Sequence, residues 1–164
     1  MNKYLFICCA ALLSASSCKK DEIEALPKAT QSGQHTFGCL VDGKAVGPKP
    51  PQGINFSKRE PLEASIYRTD LLVSSLGNGY VEFALRNAFR PGTYPLGEGQ
   101  TGSYASRRTS AMDYNTDAAH PGTVTLTRID TVAKVAAGTF KFTGVSRTGQ
   151  TVTVTEGRFD VRLK

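Results

Sequence analysis

The C-terminal third of the chain alternates apolar and polar residues with a period of two. Val135–Val145 places Phe140 and Phe142 on one face, against Thr139, Lys141 and Thr143 on the other. Val152 and Val154 then occupy even positions, whereas Phe159, Val161 and Leu163 occupy odd ones. In a strand such a change of phase sends half the apolar set to solvent. One extra residue repairs it, so the pattern demands a β-bulge at Glu156-Gly157, with Gly as the natural bulge residue. A chain built on this rule must bury one face of a long sheet, and helical packing is excluded over that stretch.

The same period recurs upstream. Phe37, Cys39 and Val41 alternate with Gly38 and Leu40, which reads as a half-buried strand. Leu62, Ala64 and Ile66, then Leu71–Leu76, then Val81, Phe83 and Leu85 continue the pattern. Thr93–Leu96 and Thr123–Thr127 add two more strands, and short ones are expected around Ser103–Arg107 and Ala111–Tyr114. Asp42-Gly43 and Gly77-Asn78-Gly79 are tight hairpin signals. The prolines at 48, 50 and 51 remove sheet donors and mark a loop or edge crossing. The expected fold is all-β: a single antiparallel β-sandwich or flattened β-barrel of about 8–10 strands.

The N-terminus follows different rules. One cation, Lys3, precedes an apolar run from Tyr4 to Leu13, and small residues fill 14–17. That order is the pattern of a secretory signal. The run is about 10 residues, too short for a membrane span of about 20. The small residues end directly in Cys18, and the charged run Lys19-Lys20-Asp21-Glu22 follows. This arrangement resembles a lipobox, which implies cleavage between Ser17 and Cys18 and a diacylglycerol on the Cys18 thiol. Ala15 stands where lipoboxes usually carry Leu. The alternative is a plain secretory signal ending near Ser17, with Cys18 an ordinary thiol. The chain thus divides into a signal peptide at 1–17, a lipidated flexible tether at 18–35 and an all-β domain at 36–164. The tether is polar and carries Pro27, a composition too poor in apolar area to offset the entropy of ordering.

Cysteine usage leaves no internal disulfide despite the expected export. Of four cysteines, Cys8 and Cys9 leave with the signal and Cys18 is acylated, so Cys39 has no disulfide partner. It is expected as a small buried hydrophobe. The net charge of +6 is spread along the chain, densest at Arg107-Arg108, with no basic and aromatic interleaving of the kind nucleic acid requires.

Five segments carry a resemblance: Phe37-Gly-Cys-Leu-Val-Asp-Gly-Lys44, Gly92-Thr-Tyr-Pro-Leu96, Gly122-Thr-Val-Thr-Leu-Thr-Arg-Ile-Asp130, Ala137-Gly-Thr-Phe-Lys-Phe142 and Thr155-Glu-Gly-Arg-Phe-Asp-Val161. With the lipobox they resemble a family of Bacteroidota-type outer-membrane lipoproteins of unknown domain function. The resemblance implies fold and location and brings no substrate or catalytic residues. Lys19-Lys20-Asp21-Glu22 resembles the signal that carries such lipoproteins to the cell surface; a periplasm-facing anchor is the alternative.

Chemistry-bearing motifs are sparse. Two histidines exist, His35 beside the tether and His120 before Pro121. Asp117 and His120 could join a serine, yet no Gly-x-Ser-x-Gly elbow accompanies them. Asp113, Asn115 and Asp117 have the spacing of a calcium loop, but Ala118 replaces its glycine and Val124 its closing glutamate. Calcium is one use of that run, and an ordinary loop with Asx turns is the other. No cofactor and no enzymatic activity are expected. The expectation is a monomeric, lipid-anchored binding module in the cell envelope, meeting a protein, peptide or glycan through the Gly97–Pro121 region. A carrier of small apolar ligands in a barrel cavity is the alternative.

Overall fold

The computed structural model describes residues 20–49, 60–77, 79–97 and 102–164. Within them lie eleven strands: β1 (Thr36–Val41), β2 (Lys44–Val46), β3 (Leu62–Tyr67), β4 (Asp70–Gly77), β5 (Gly79–Leu85), β6 (Gly92–Leu96), β7 (Tyr104–Arg108), β8 (Asp113–Asn115), β9 (Gly122–Asp130), β10 (Val135–Val145) and β11 (Thr151–Arg162). All pairings are antiparallel, and the order is β2-β1-β11-β10-β8-β7-β5-β4-β3, with β9 on β10 and β6 on β9. The sheet curls into a half-barrel. Two of the strands, β2 and β8, have only three residues.

The phase change in β11 is resolved as the pattern requires. Phe140 faces Gly157 while Phe142 faces Val154, one residue out of register. Val152, Val154, Phe159, Val161 and Leu163 are therefore all buried. The left-handed backbone falls on Glu156 (φ 53), however, and not on the glycine. Gly157 serves close approach instead, because a Cβ there would collide with the Phe140 carbonyl and ring.

Inward-facing aromatics fill the barrel. Phe37 of β1 packs on Phe140 of β10 at 5.0 Å between ring centroids. Phe83 of β5 packs on Phe140 at 5.4 Å and on Phe159 of β11 at 5.1 Å. Tilted pairs at these separations add about 0.5–1.5 kcal/mol each beyond their buried area. They join the β1-β11-β10 wall to the β5 wall, which share few hydrogen bonds. Cys39 points into this core and is fully buried, as its alternation with Gly38 predicts.

Leu40 and Gly38, expected on a solvent face, are buried too. The cause corrects the tether expectation. Residues 20–24 are helical, Leu26 is buried, and the segment to His35 lies against the outer face of β1 and β11. Its clasp is Asp160, which is 1 % exposed. The Thr30 hydroxyl donates to Asp160 Oδ2 at 2.6 Å, and the backbone N–H groups of Ser32, Gly33 and Gln34 donate to the same carboxylate at 3.0, 2.7 and 3.1 Å. Arg128 and Arg162 donate to the Gln31 and Gly33 carbonyls. At the other end of the segment, the Ala45 N–H donates to Glu22 at 2.6 Å. Composition alone misjudged this stretch, because its ordering rests on one buried anion about 130 residues away.

Burial raises the Asp160 carboxyl, but the donors from Thr30, Gln34, Gly33 and Ser32 outweigh it and hold the group below its usual value. A depressed folded value means the stabilisation is complete above the unfolded value of about 3.9 and is lost as pH falls through the folded one. The melting temperature should therefore fall as pH drops below about 4, and Asp160→Asn should weaken that acid dependence while lowering stability at neutral pH by about 2 kcal/mol in urea titrations. Gly157→Ala should cost about 2 kcal/mol or more by the same measurement, through overpacking against Phe140.

Candidate functional site

One concavity follows from how the sheet curls. The end of β11 reaches β3, where the Lys164 N–H donates to the Ala64 carbonyl at 3.0 Å. His35 wedges between the two strands with left-handed backbone (φ 58). Its Nδ1 accepts the Arg162 backbone N–H at 3.2 Å. The hydrogen must then sit on Nε2, which donates to the Leu62 carbonyl at 3.3 Å. Both ring nitrogens thus hold backbone across the seam.

Beside this wedge opens a cleft of about 620 Å³. Pro48, Pro61, Leu62 and Leu163 form its apolar floor, and Glu60, Arg162 and Lys164 its charged walls. Lys164 Nζ sits 2.9 Å from Glu63 and 3.3 Å from Glu60, and these contacts raise its ammonium above the usual value. Arg162 donates through Nε to Gly33 at 2.8 Å. The volume falls within the range of small-ligand sites. An apolar floor with cations and carboxylates at the rim suits a zwitterionic or amphipathic group and carries no poised nucleophile.

A second cluster lies on the outer face of β5 and β7. Glu82 accepts the Tyr80 hydroxyl at 2.8 Å and the Tyr104 hydroxyl at 3.0 Å. Burial and the Glu82 charge push Tyr104 up to about 12. Arg108 lies over the Tyr80 ring, 5.6 Å from its centroid. Sequence reasoning passed over this group. Tyr80 and Glu82 share a face by spacing, but Tyr104 joins them only through the β5–β7 register.

The residues singled out from sequence are dispersed. Asp113 and Asn115 lie in strand β8, close to the short strand expected around Ala111–Tyr114. Asp113 accepts from Arg108 Nε at 3.0 Å. Asp117 closes its own turn, accepting from the backbone of Ala119 and His120 at 2.9 and 2.7 Å and sitting 2.9 Å from His120 Nδ1. Those bonds, His120 first, hold its carboxyl below the usual value. Asp113 and Asp117 are each engaged locally, and among the described residues no group of three or more His, Cys, Asp or Glu is placed to hold a metal. The Gly97–Pro121 region carries the two short strands expected of it, β7 and β8, among its described residues. Ser103, Ala105, Ser106, Arg107 and Thr116 are buried, and Thr116 is bonded to both backbone groups of Ala105. Cys39 is chemically quiet: burial pushes its thiol up to about 12, against a smaller opposing pull from Arg107. Ser17 and Cys18 lie outside the described residues.

Residues 60–161 match the family described as a domain of unknown function, DUF6252. The chain belongs to that family. The matched span runs from just before β3 to Val161, so it includes Asp160 but not the segment that Asp160 holds. No curated protein and no solved structure gave a match.

Replacing each histidine separates their roles. His35→Ala should cost about 1 kcal/mol in urea titrations, since two seam hydrogen bonds go. His120→Ala should stay within about 0.5 kcal/mol, as an exposed turn contact.

Proposed function

We propose that this protein is a lipid-anchored component of the cell envelope that acts as a non-enzymatic binding module. In this reading the chain is a Bacteroidota-type lipoprotein. Residues 1–17 are a cleaved signal, and Cys18 carries the acyl chains. Anchoring is at the outer membrane, with the domain on the cell surface.

The observation that carries the non-enzymatic part is where the reactive side chains are committed. His35 holds the seam, His120 is bonded to Asp117 in a turn, and the Cys39 thiol is buried. A binding role asks only for a shaped surface, and the cleft beside His35 offers one. The carrier alternative gains no support, because the Phe37, Phe83, Phe140 and Phe159 rings fill the interior that an apolar ligand would need.

The docking of 22–35 changes what the anchor would do. Glu22 is tied to Ala45 near the β1–β2 hairpin. Cys18 precedes Lys20 by two residues, a reach of about 7 Å at full extension. The domain would then stand close to its bilayer with that hairpin end nearest, and residues 22–35 would not act as a free tether.

Metabolic labelling with a fatty-acid probe tests the anchor. Wild type should take up label and Cys18→Ala should not; equal labelling of both overturns the lipid attachment. Protease treatment of intact cells tests the surface location, which fails if the domain is cut only after lysis.

A further inference from the structure

We propose that the end of the half-barrel opposite the β1–β2 hairpin is a docking ridge for an acidic polysaccharide, a polymer whose sugar rings carry carboxylates. That end is formed by three turns: 67–70 between β3 and β4, 86–91 between β5 and β6, and 131–134 between β9 and β10. The first two are bonded to each other, Ala88 N–H to the Thr69 carbonyl at 2.8 Å and Asn87 N–H to Asp70 at 3.1 Å.

Three features coincide there. Of the four large hydrophobic residues that are exposed among those described, three lie on these turns: Tyr67 at 73 %, Phe89 at 56 % and Val132 at 95 %. Each ring is followed by an arginine stacked over one face, Arg68 over Tyr67 and Arg90 over Phe89, both 5.6 Å from the centroid. Lys134 adds a third cation. The carboxylates at this end are already engaged, Asp70 by Arg86 and Asp130 by Arg128. Arg68, Arg90 and Lys134 form no ion pair with a carboxylate among the described residues. The ridge is thus cationic and partly apolar.

The backbone supplies an independent argument. Arg68 (φ 58) and Lys134 (φ 53) are both left-handed. A residue with a Cβ is strained in that conformation and glycine is not. Such strain concentrates where a side chain serves a purpose other than folding. Two turns of this one end keep a long cation where glycine would fit with less strain.

The ligand class follows from the chemistry. A guanidinium over one face of an exposed ring matches a uronate unit, with the carboxylate on the fork and the sugar C–H face on the other face of the ring. Three separate turns make an open ridge, which suits an extended polymer better than a small molecule. The orientation rests on the anchoring proposed above: with the N-terminal segment leaving near Ala45, this end faces away from the bilayer.

Polygalacturonate binding by the detergent-solubilised full-length chain tests the proposal, with dextran as the neutral control. Wild type should bind polygalacturonate at low salt, and dextran should not bind. The double substitution Arg68→Gly with Lys134→Gly should weaken binding by about tenfold or more, from two lost charge-assisted contacts, while raising the melting temperature. Arg90→Gln, which leaves the Arg90 carbonyl bonded to Tyr94, should also weaken binding without loss of fold. Absence of wild-type binding, or equal binding by these variants, overturns the proposal. So does retention on phosphatidylglycerol-coated beads that responds to the same substitutions while polygalacturonate does not bind, since the ridge would then meet a lipid surface. Polygalacturonate binding reads the ridge whether or not Cys18 is acylated, and the fatty-acid label reads Cys18 whether or not the ridge binds.

Discussion

Glu156 takes a left-handed backbone in the middle of β11, and the register there slips by one residue. Val152 and Val154 before it, and Phe159, Val161 and Leu163 after it, consequently face the same interior. Without the extra residue one set would point to solvent. The strand also has two partners, β10 along nearly its whole length and β1 on its other edge, and the chain just beyond it bonds to β3. The bulge therefore places Phe159 in the aromatic core and Asp160 on the opposite face, where the N-terminal segment docks.

From that placement the two faces of β11 take different work. The inner face contributes to a stack of phenylalanines that ties the walls of the half-barrel together. The outer face presents one buried carboxylate to a hydroxyl and three backbone N–H groups. A buried charge is tolerated only when it is this fully bonded. The same carboxylate orders residues 30–34, part of a segment whose composition reads as linker. The core and the docked N-terminal segment thus meet on adjacent residues of one strand, Phe159 and Asp160.

Much of the fold was legible because its signals are local. The hairpin at Asp42-Gly43, with both residues at positive φ, the strands at 62–67, 70–77, 79–85, 122–130 and 135–145, and the bulge near 156 are all written in alternation and turn chemistry. The short strand expected around Ala111–Tyr114 is β8 at Asp113–Asn115, although the Asp-x-Asn-x-Asp spacing also reads as a loop. The candidate sites were mostly illegible. The seam cleft joins His35, Glu60, Leu62 and Arg162 through the curl of the sheet, and the Tyr80–Glu82–Tyr104 group depends on strand register. No spacing in the chain encodes either.

By itself the sequence determined that the chain is all-β, that one strand must be bulged, and that Cys39 faces the core, because each follows from residue periodicity. Tertiary structure alone decided that the sheet closes as a half-barrel filled by phenylalanine, that residues 26–35 dock on it, and that Tyr67, Phe89 and Val132 share one end. Those outcomes depend on contacts between residues far apart in the chain, and a local pattern holds no information about which distant strand will supply the partner.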